Sequence, residues 1–117
     1  MKKYTTHNET EIDVNDTYLR GYVDCSYSTL VRLFGFPLEG DGYKTDAEWQ
    51  IEFNEREVPF DPRPVATIYN WKNGYAYCGE KEGENVYDIK RWNIGGFCEA
   101  VVGRIQSLVD YEISKIK

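Results

Sequence analysis

The most regular pattern in the chain is the run "DAEWQIEF", Asp46 to Phe53, in which apolar and polar residues alternate without a fault. Ala47, Trp49, Ile51 and Phe53 fall on one side; Asp46, Glu48, Gln50 and Glu52 fall on the other. Period two over eight residues predicts a half-buried strand. "TYLRGYV", Thr17 to Val23, predicts a second, shorter strand. "SYSTLVRLFGFP" predicts a helix: Ser26 or Ser28 caps it, Leu30, Val31 and Phe34 share a face, and Gly35 with Pro37 ends it. Val65 to Lys72 predicts a further strand, and Asn73-Gly74 then predicts a two-residue hairpin turn leading into a partner strand from Tyr75. "VYDIKRWNI" resumes strand character before Gly95-Gly96. The tail from Phe97 carries an apolar stripe of Phe97, Val101, Ile105, Leu108, Val109, Ile113 and Ile116, which predicts a helix.

The expected fold is therefore α+β, a two-layer sandwich with an antiparallel sheet of about four strands and two helices on one face. Residues 1–16 are polar and predict a loose arm with at most a short edge strand; residues 17–117 form a single domain. Such a sandwich leaves one sheet face without a helix. With an Asn73-Gly74 hairpin, alternation puts Val65, Thr67, Tyr69, Trp71, Ala76 and Cys78 under the helices. Ala66, Ile68, Asn70, Lys72, Tyr75 and Tyr77 then line the open face. On that register Trp71→Ala empties the core and Lys72→Ala spares stability; the reverse result moves the site to Tyr69 and Trp71.

Composition narrows the chemistry. The chain has 117 residues, enough for one core, and carries 14 Lys and Arg against 20 Asp and Glu, a formal charge of −6. A binder of the nucleic-acid backbone, which depends on cationic contacts, is not expected. The three cysteines are widely spaced with no C-x-x-C, which reads as free thiols in a reducing compartment. No apolar run is long enough to cross a membrane, and the N-terminus lacks a signal-like apolar segment. A soluble, intracellular protein is the expectation.

Two stretches are candidate ligand sites. Asn70, Lys72, Tyr75 and Tyr77 combine aromatic surface with an amide and an ammonium, as a small polar-ligand surface does; ordinary cross-strand shielding of the sheet reads equally well. Gly95-Gly96 runs from a strand into a helix and would present bare amides at a positive helix end, with Asn93 as cap or donor and Lys90 and Arg91 just upstream. Turn geometry alone also accounts for two glycines there. Catalysis has no comparable signal. His7, the one histidine, has no nucleophile near it in sequence, and the cysteines do not form a zinc set. No cofactor and no metal are expected. The acidic side of Asp46–Phe53 reads as a solvated face rather than a cation site.

"ATIYNWKNG" (Ala66–Gly74) and "WNIGG" (Trp92–Gly96), together with "LVRLFGFP" and "GDGYKTDAEWQIEF" upstream, resemble a family of small, largely uncharacterised proteins of tailed bacteriophages. The proline-rich "NEREVPFDPRP" departs from that pattern, where a tighter turn is expected. The resemblance implies an accessory role in the cytoplasm of an infected bacterial host, countering host defence. The leading expectation is a non-enzymatic protein that sequesters a small anionic, nucleotide-like signal. The alternative is a protein–protein inhibitor of a host defence effector, acting through an acidic, aromatic surface formed by Asp46, Glu48, Glu52 and the loop "GEKEGEN". A homodimer is a further expectation, because an uncovered aromatic sheet face is unfavourable in water.

Overall fold

The computed structural model describes residues 3–55 and 63–115. In chain order it contains β1 (Tyr4–Thr6), β2 (Tyr18–Asp24), α1 (Tyr27–Phe34), β3 (Leu38–Glu39), β4 (Ala47–Phe53), β5 (Val65–Tyr69), α2 (Tyr75–Glu82), a 3-10 turn (Val86–Asp88), β6 (Arg91–Gly96) and α3 (Ala100–Ser114). The class is α+β, with one antiparallel sheet of six strands where about four were expected. Strand order is β1-β4-β5-β6-β2, and the two-residue β3 also pairs with β4.

β4 is the strand that the alternation predicts: Ala47, Trp49, Ile51 and Phe53 are buried, and the residues between them are half-exposed. Its outer edge is shared. β1 pairs with Ile51 to Phe53, β3 pairs with Ala47 and Glu48, and His7 spans the gap between them. The His7 amide donates to the Gln50 carbonyl at 3.0 Å, and the Gln50 amide donates to His7 Nδ1 at 3.2 Å. With Nδ1 accepting, the ring proton sits on Nε2, which donates to the Phe36 carbonyl at 2.8 Å. The histidine of the polar arm is thus a rung of the ladder.

α1 and α3 supply the second layer. Ser26 caps α1, its hydroxyl accepting from the Thr29 amide at 3.2 Å, and the Gly35 amide closes the other end on the Val31 carbonyl. Leu30 and Phe34 from α1 and Val101, Ile105 and Val109 from α3 meet Trp49, Ile68, Trp92 and Ile94 of the sheet. Leu108 and Ile113 pack against this core, Phe97 precedes α3, and Ile116 lies outside the described residues. The two core tryptophans cross edge to face at 5.3 Å between ring centres. Trp92 Nε1 donates to the Cys25 carbonyl, just before α1, and Trp49 Nε1 donates to the Gly35 carbonyl, just after it. The cysteines are free. Cys25 is buried, and burial, with Asp24 adding to it, pushes its thiol up to about 12, so it is no nucleophile at neutral pH.

α1 and α3 are also joined by charge. Glu112, buried on α3, accepts from Lys115 at 3.1 Å and from Arg32 of α1 at 3.3 Å. The Lys115 contact first, then Arg32, hold its carboxyl below the ordinary value against the effect of burial. A lowered carboxyl pKa stabilises the fold above the unfolded-state value, and that contribution is lost as pH falls through the folded-state value. Glu112→Gln should therefore flatten the acid limb of a stability-against-pH curve measured by urea unfolding.

The hairpin is absent. β5 ends at Tyr69, and the residues after Asn73-Gly74 form α2, which is broken at Gly79 and buries no side chain. Asn70 sets this course. Its Oδ1 accepts from the amides of Asp46 at 2.7 Å and Ala47 at 3.1 Å, and its Nδ2 donates to Asn73 Oδ1. Lys72 then takes a left-handed φ of 59°, and the Asp46 carboxylate accepts from the Ala76 amide, capping α2 from outside the helix. Gly74 lies so close to that carboxylate that any Cβ would collide with it. Tertiary hydrogen bonds override the turn preference of Asn-Gly.

The expected assignment of faces is reversed. Trp49 pairs with Ile68 and Ile51 with Ala66, and directly opposed residues share a face, so Ala66 and Ile68 are drawn under the helices with Trp49. Ala66, Ile68 and Asn70 are buried, whereas Tyr69 is half-buried and Trp71 is 45% exposed. Ile68→Ala should cost about 2–5 kcal/mol of stability. Trp71→Ala should cost about 1 kcal/mol or less. Denaturant unfolding of the two variants checks the order.

Candidate ligand site on the open sheet face

The face without helices carries a cleft of about 480 Å³, within the size range of small-molecule sites. Its floor is built by register. Glu48 lies opposite Tyr69, Gln50 opposite Thr67, and Thr67 opposite Gly95 on β6. Gly95 keeps the floor open: a Cβ there would sit 2.5 Å from Thr67 Oγ1 and 3.6 Å from the Tyr69 ring. One wall is Leu38 to Asp41, another is the segment through Val14, Thr17 and Tyr18, and Trp71 stands at the end.

The lining includes the carboxylates of Glu39, Asp41 and Glu48 and no Lys or Arg. They are not equivalent. Asp41 Oδ1 accepts from the amides of Thr45, Tyr43 and Lys44, and these bonds hold its carboxyl below the ordinary value. Asp41 is a loop brace. Glu48 Oε2 accepts from Gln50 Nε2 at 2.7 Å, which leaves Glu48 Oε1 and the Gln50 side-chain oxygen as acceptors on the floor. Tyr69 stays a neutral phenol. Burial raises its pKa, a hydrogen bond with Asn93 opposes this, and Glu48 and Tyr22 add to it.

Cations gather at the rim instead. Braced by Asp41, the loop "GDGYKT" places Lys44 Nζ 5.3 Å from the Trp71 ring centre and 5.7 Å from that of Tyr43. The Lys72 amide donates to the Lys44 carbonyl at 2.7 Å, tying the two lysine segments together. Lys72 Nζ lies 5.8 Å from the Trp71 centre and 5.6 Å from that of Tyr77, whose ring meets Tyr43 at 5.2 Å. Among the described residues neither ammonium pairs with a carboxylate. Half-buried Lys44 and exposed Lys72, set over exposed aromatic rings, form a surface suited to a planar anion.

The sequence-predicted residues are divided between these regions. Lys72 and Tyr77 meet at the rim, and Tyr75 is exposed at the start of α2. Asn93 and Gly95 belong to the open face beside Tyr69. Asn70 is buried, with its oxygen held by two backbone amides and its amide nitrogen bonded to Asn73, so it is a structural bracket and not a ligand group.

The expected anion site at Gly95-Gly96 is not formed. Both glycines lie within β6, between β5 and β2, and α3 begins at Ala100 without a side-chain cap. Asn93 is a strand residue and does not cap it. Gly96 faces the helices, where a Cβ would sit 2.7 Å from Val101 and 2.9 Å from the Val65 carbonyl. Arg20 donates to the carbonyls of Gly96 and Phe97. The two glycines serve close packing on opposite faces.

Sequence reasoning missed Tyr43, Lys44, Glu48, Gln50 and Trp71 as a group. The alternation of β4 already put Glu48 and Gln50 opposite the core; Lys44 and Trp71 are joined only by tertiary contacts. On the acidic strand, Asp46 is occupied by α2 and Glu52 pairs with Arg63 at 2.9 Å. Among the described residues no cluster of three or more His, Cys, Asp or Glu is placed to hold a metal ion, and no helix is long and apolar enough to cross a membrane. No protein-family model, curated protein or solved structure matches the chain.

Trp49 and Trp92 are fully buried, so Trp71 is the one tryptophan of the three that solvent reaches. Iodide should quench only part of the native tryptophan emission, and Trp71→Phe should remove the quenchable part. Quenching that survives the substitution would place Trp71 elsewhere.

Proposed function

We propose that this chain is a non-enzymatic binding protein that takes a small nucleotide-like anion at the Trp71 corner of the open-face cleft. The observation that carries the reading is the pair of unpaired ammonium groups, Lys44 and Lys72, within 6 Å of the Trp71 ring centre at the edge of a polar cleft. The ring offers a stacking surface at the end of the cleft, the ammonium groups receive phosphate, and the cleft receives the base. The resemblance of Ala66–Gly74 and Trp92–Gly96 to small phage proteins supports a setting in the infected bacterial cytoplasm, where sequestration would withhold a nucleotide signal from host defence.

A panel of linear and cyclic nucleotides titrated against Trp71 emission tests this. Binding should be weakened by about 1.5–3 kcal/mol in Lys72→Ala or Lys44→Ala through loss of a charge-assisted contact. Stability of both variants should stay within about 0.5 kcal/mol of the parent. A panel in which no nucleotide changes Trp71 emission or thermal stability rejects the reading.

A second reading, inhibition of a protein effector, is favoured by the same cleft for a different reason. Glu39, Asp41 and Glu48 line it without a compensating cation, which suits a basic protrusion of a partner. Loss of partner capture in Glu39→Gln and Glu48→Gln, with capture retained in Lys72→Ala, would select this reading over the first.

A further inference from the structure

The geometry points to guanine as the base that this cleft takes, an assignment that rests on the nucleotide reading above. The charged group on the floor is the Glu48 carboxylate, an acceptor. Gln50 gives one amide proton to Glu48 Oε2, at 2.7 Å, which leaves Glu48 Oε1 open to a ligand and leaves Gln50 its side-chain oxygen and a second N–H. Both side chains leave the same face of β4, two residues apart, and Gly95 keeps the floor across from them hollow. A ligand ring that sets its edge against the Glu48 carboxylate must bring adjacent N–H donors with no acceptor between them.

Among the common bases only guanine has that edge, N1–H beside the N2 amino group. Adenine sets the N1 lone pair beside its amino group, cytosine sets N3 beside its own, and uracil flanks its single N–H with two carbonyl oxygens. Each of these would bring a lone pair against Glu48. The carboxylate has lone pairs enough to keep Gln50 and still accept from both guanine donors. Glu48 is then the specificity-determining residue, and Lys44 and Lys72 at the rim bind phosphate without regard to the base.

The test compares GMP, AMP, CMP and UMP, and the corresponding cyclic mononucleotides, on the full chain and on Glu48→Gln, using Trp71 emission and calorimetry. The parent should bind the guanine member of each set roughly 5- to 100-fold more tightly than the others. In Glu48→Gln the preference should collapse, with adenine affinity little changed and the unfolding midpoint preserved. Nucleotides that bind without base preference, or a guanine preference that survives Glu48→Gln, overturn the base assignment and leave the nucleotide site standing. Failure of every nucleotide to bind removes both. Lys72→Ala separates the two roles: it should weaken all bases by a common factor and leave the guanine-to-adenine ratio unchanged.

Discussion

The two buried indole hydrogen bonds fix how the layers of this fold meet. Trp92 reaches the carbonyl just before α1 and Trp49 the carbonyl just after it, so the sheet grips both ends of the helix. An indole N–H buried without an acceptor would cost about 1–3 kcal/mol, and α1 is too short to be stable alone. Each therefore depends on the other. The two rings cross at 87°, and Tyr27 of α1 closes against Trp49 at 5.6 Å.

That constraint also decides which face is open. With Trp49 and Trp92 committed to the helices, their strand neighbours Glu48, Gln50 and Asn93 must point away. The pairing of β4 with β5 then carries Thr67 and Tyr69 to the same side. The candidate cleft is the reverse side of the core, and its floor is set by the same register that buries the tryptophans. Its rim has a different origin. Lys44 and Trp71 sit in loops, held by the Asp41 brace and by the 2.7 Å bond between the Lys72 amide and the Lys44 carbonyl.

This difference explains what the sequence made legible. β4, α1 and α3 could be read because each has a hydrophobic period that tertiary contacts reinforce. The hairpin at Asn73-Gly74 could not, because its competitor is non-local: Asn70 satisfies two amides from Asp46 and Ala47, more than twenty residues away. One wrong turn then inverted the faces of β5. The alternation of β4 contained the correction, since pairing Trp49 with Ile68 allows only the observed assignment. Gly95-Gly96 misled for a related reason. Glycine before a helix signals a turn, yet here Thr67 and Val101 on opposite faces leave no room for a Cβ at either position. His7 was equally opaque, because its use as a ladder rung depends on β1 and β3 meeting the same edge of β4.

The arrangement of charge constrains how such a site works. At a net charge of −6 the protein's overall field repels an anion, and the carboxylates of the cleft repel it again at close range. Long-range steering cannot therefore supply the association. The attraction must come from groups in contact, where Lys44 and Lys72 are screened least and Trp71 adds surface. Salt acts on the two parts in opposite directions, weakening the long-range repulsion and the lysine contacts together. The net salt dependence of a nucleotide at this corner should accordingly be shallow, unlike that of a nucleic-acid backbone on a basic surface. A ligand that satisfies this geometry carries its anionic group at one end and its donor groups at the other, because the site separates those charges in the same sense.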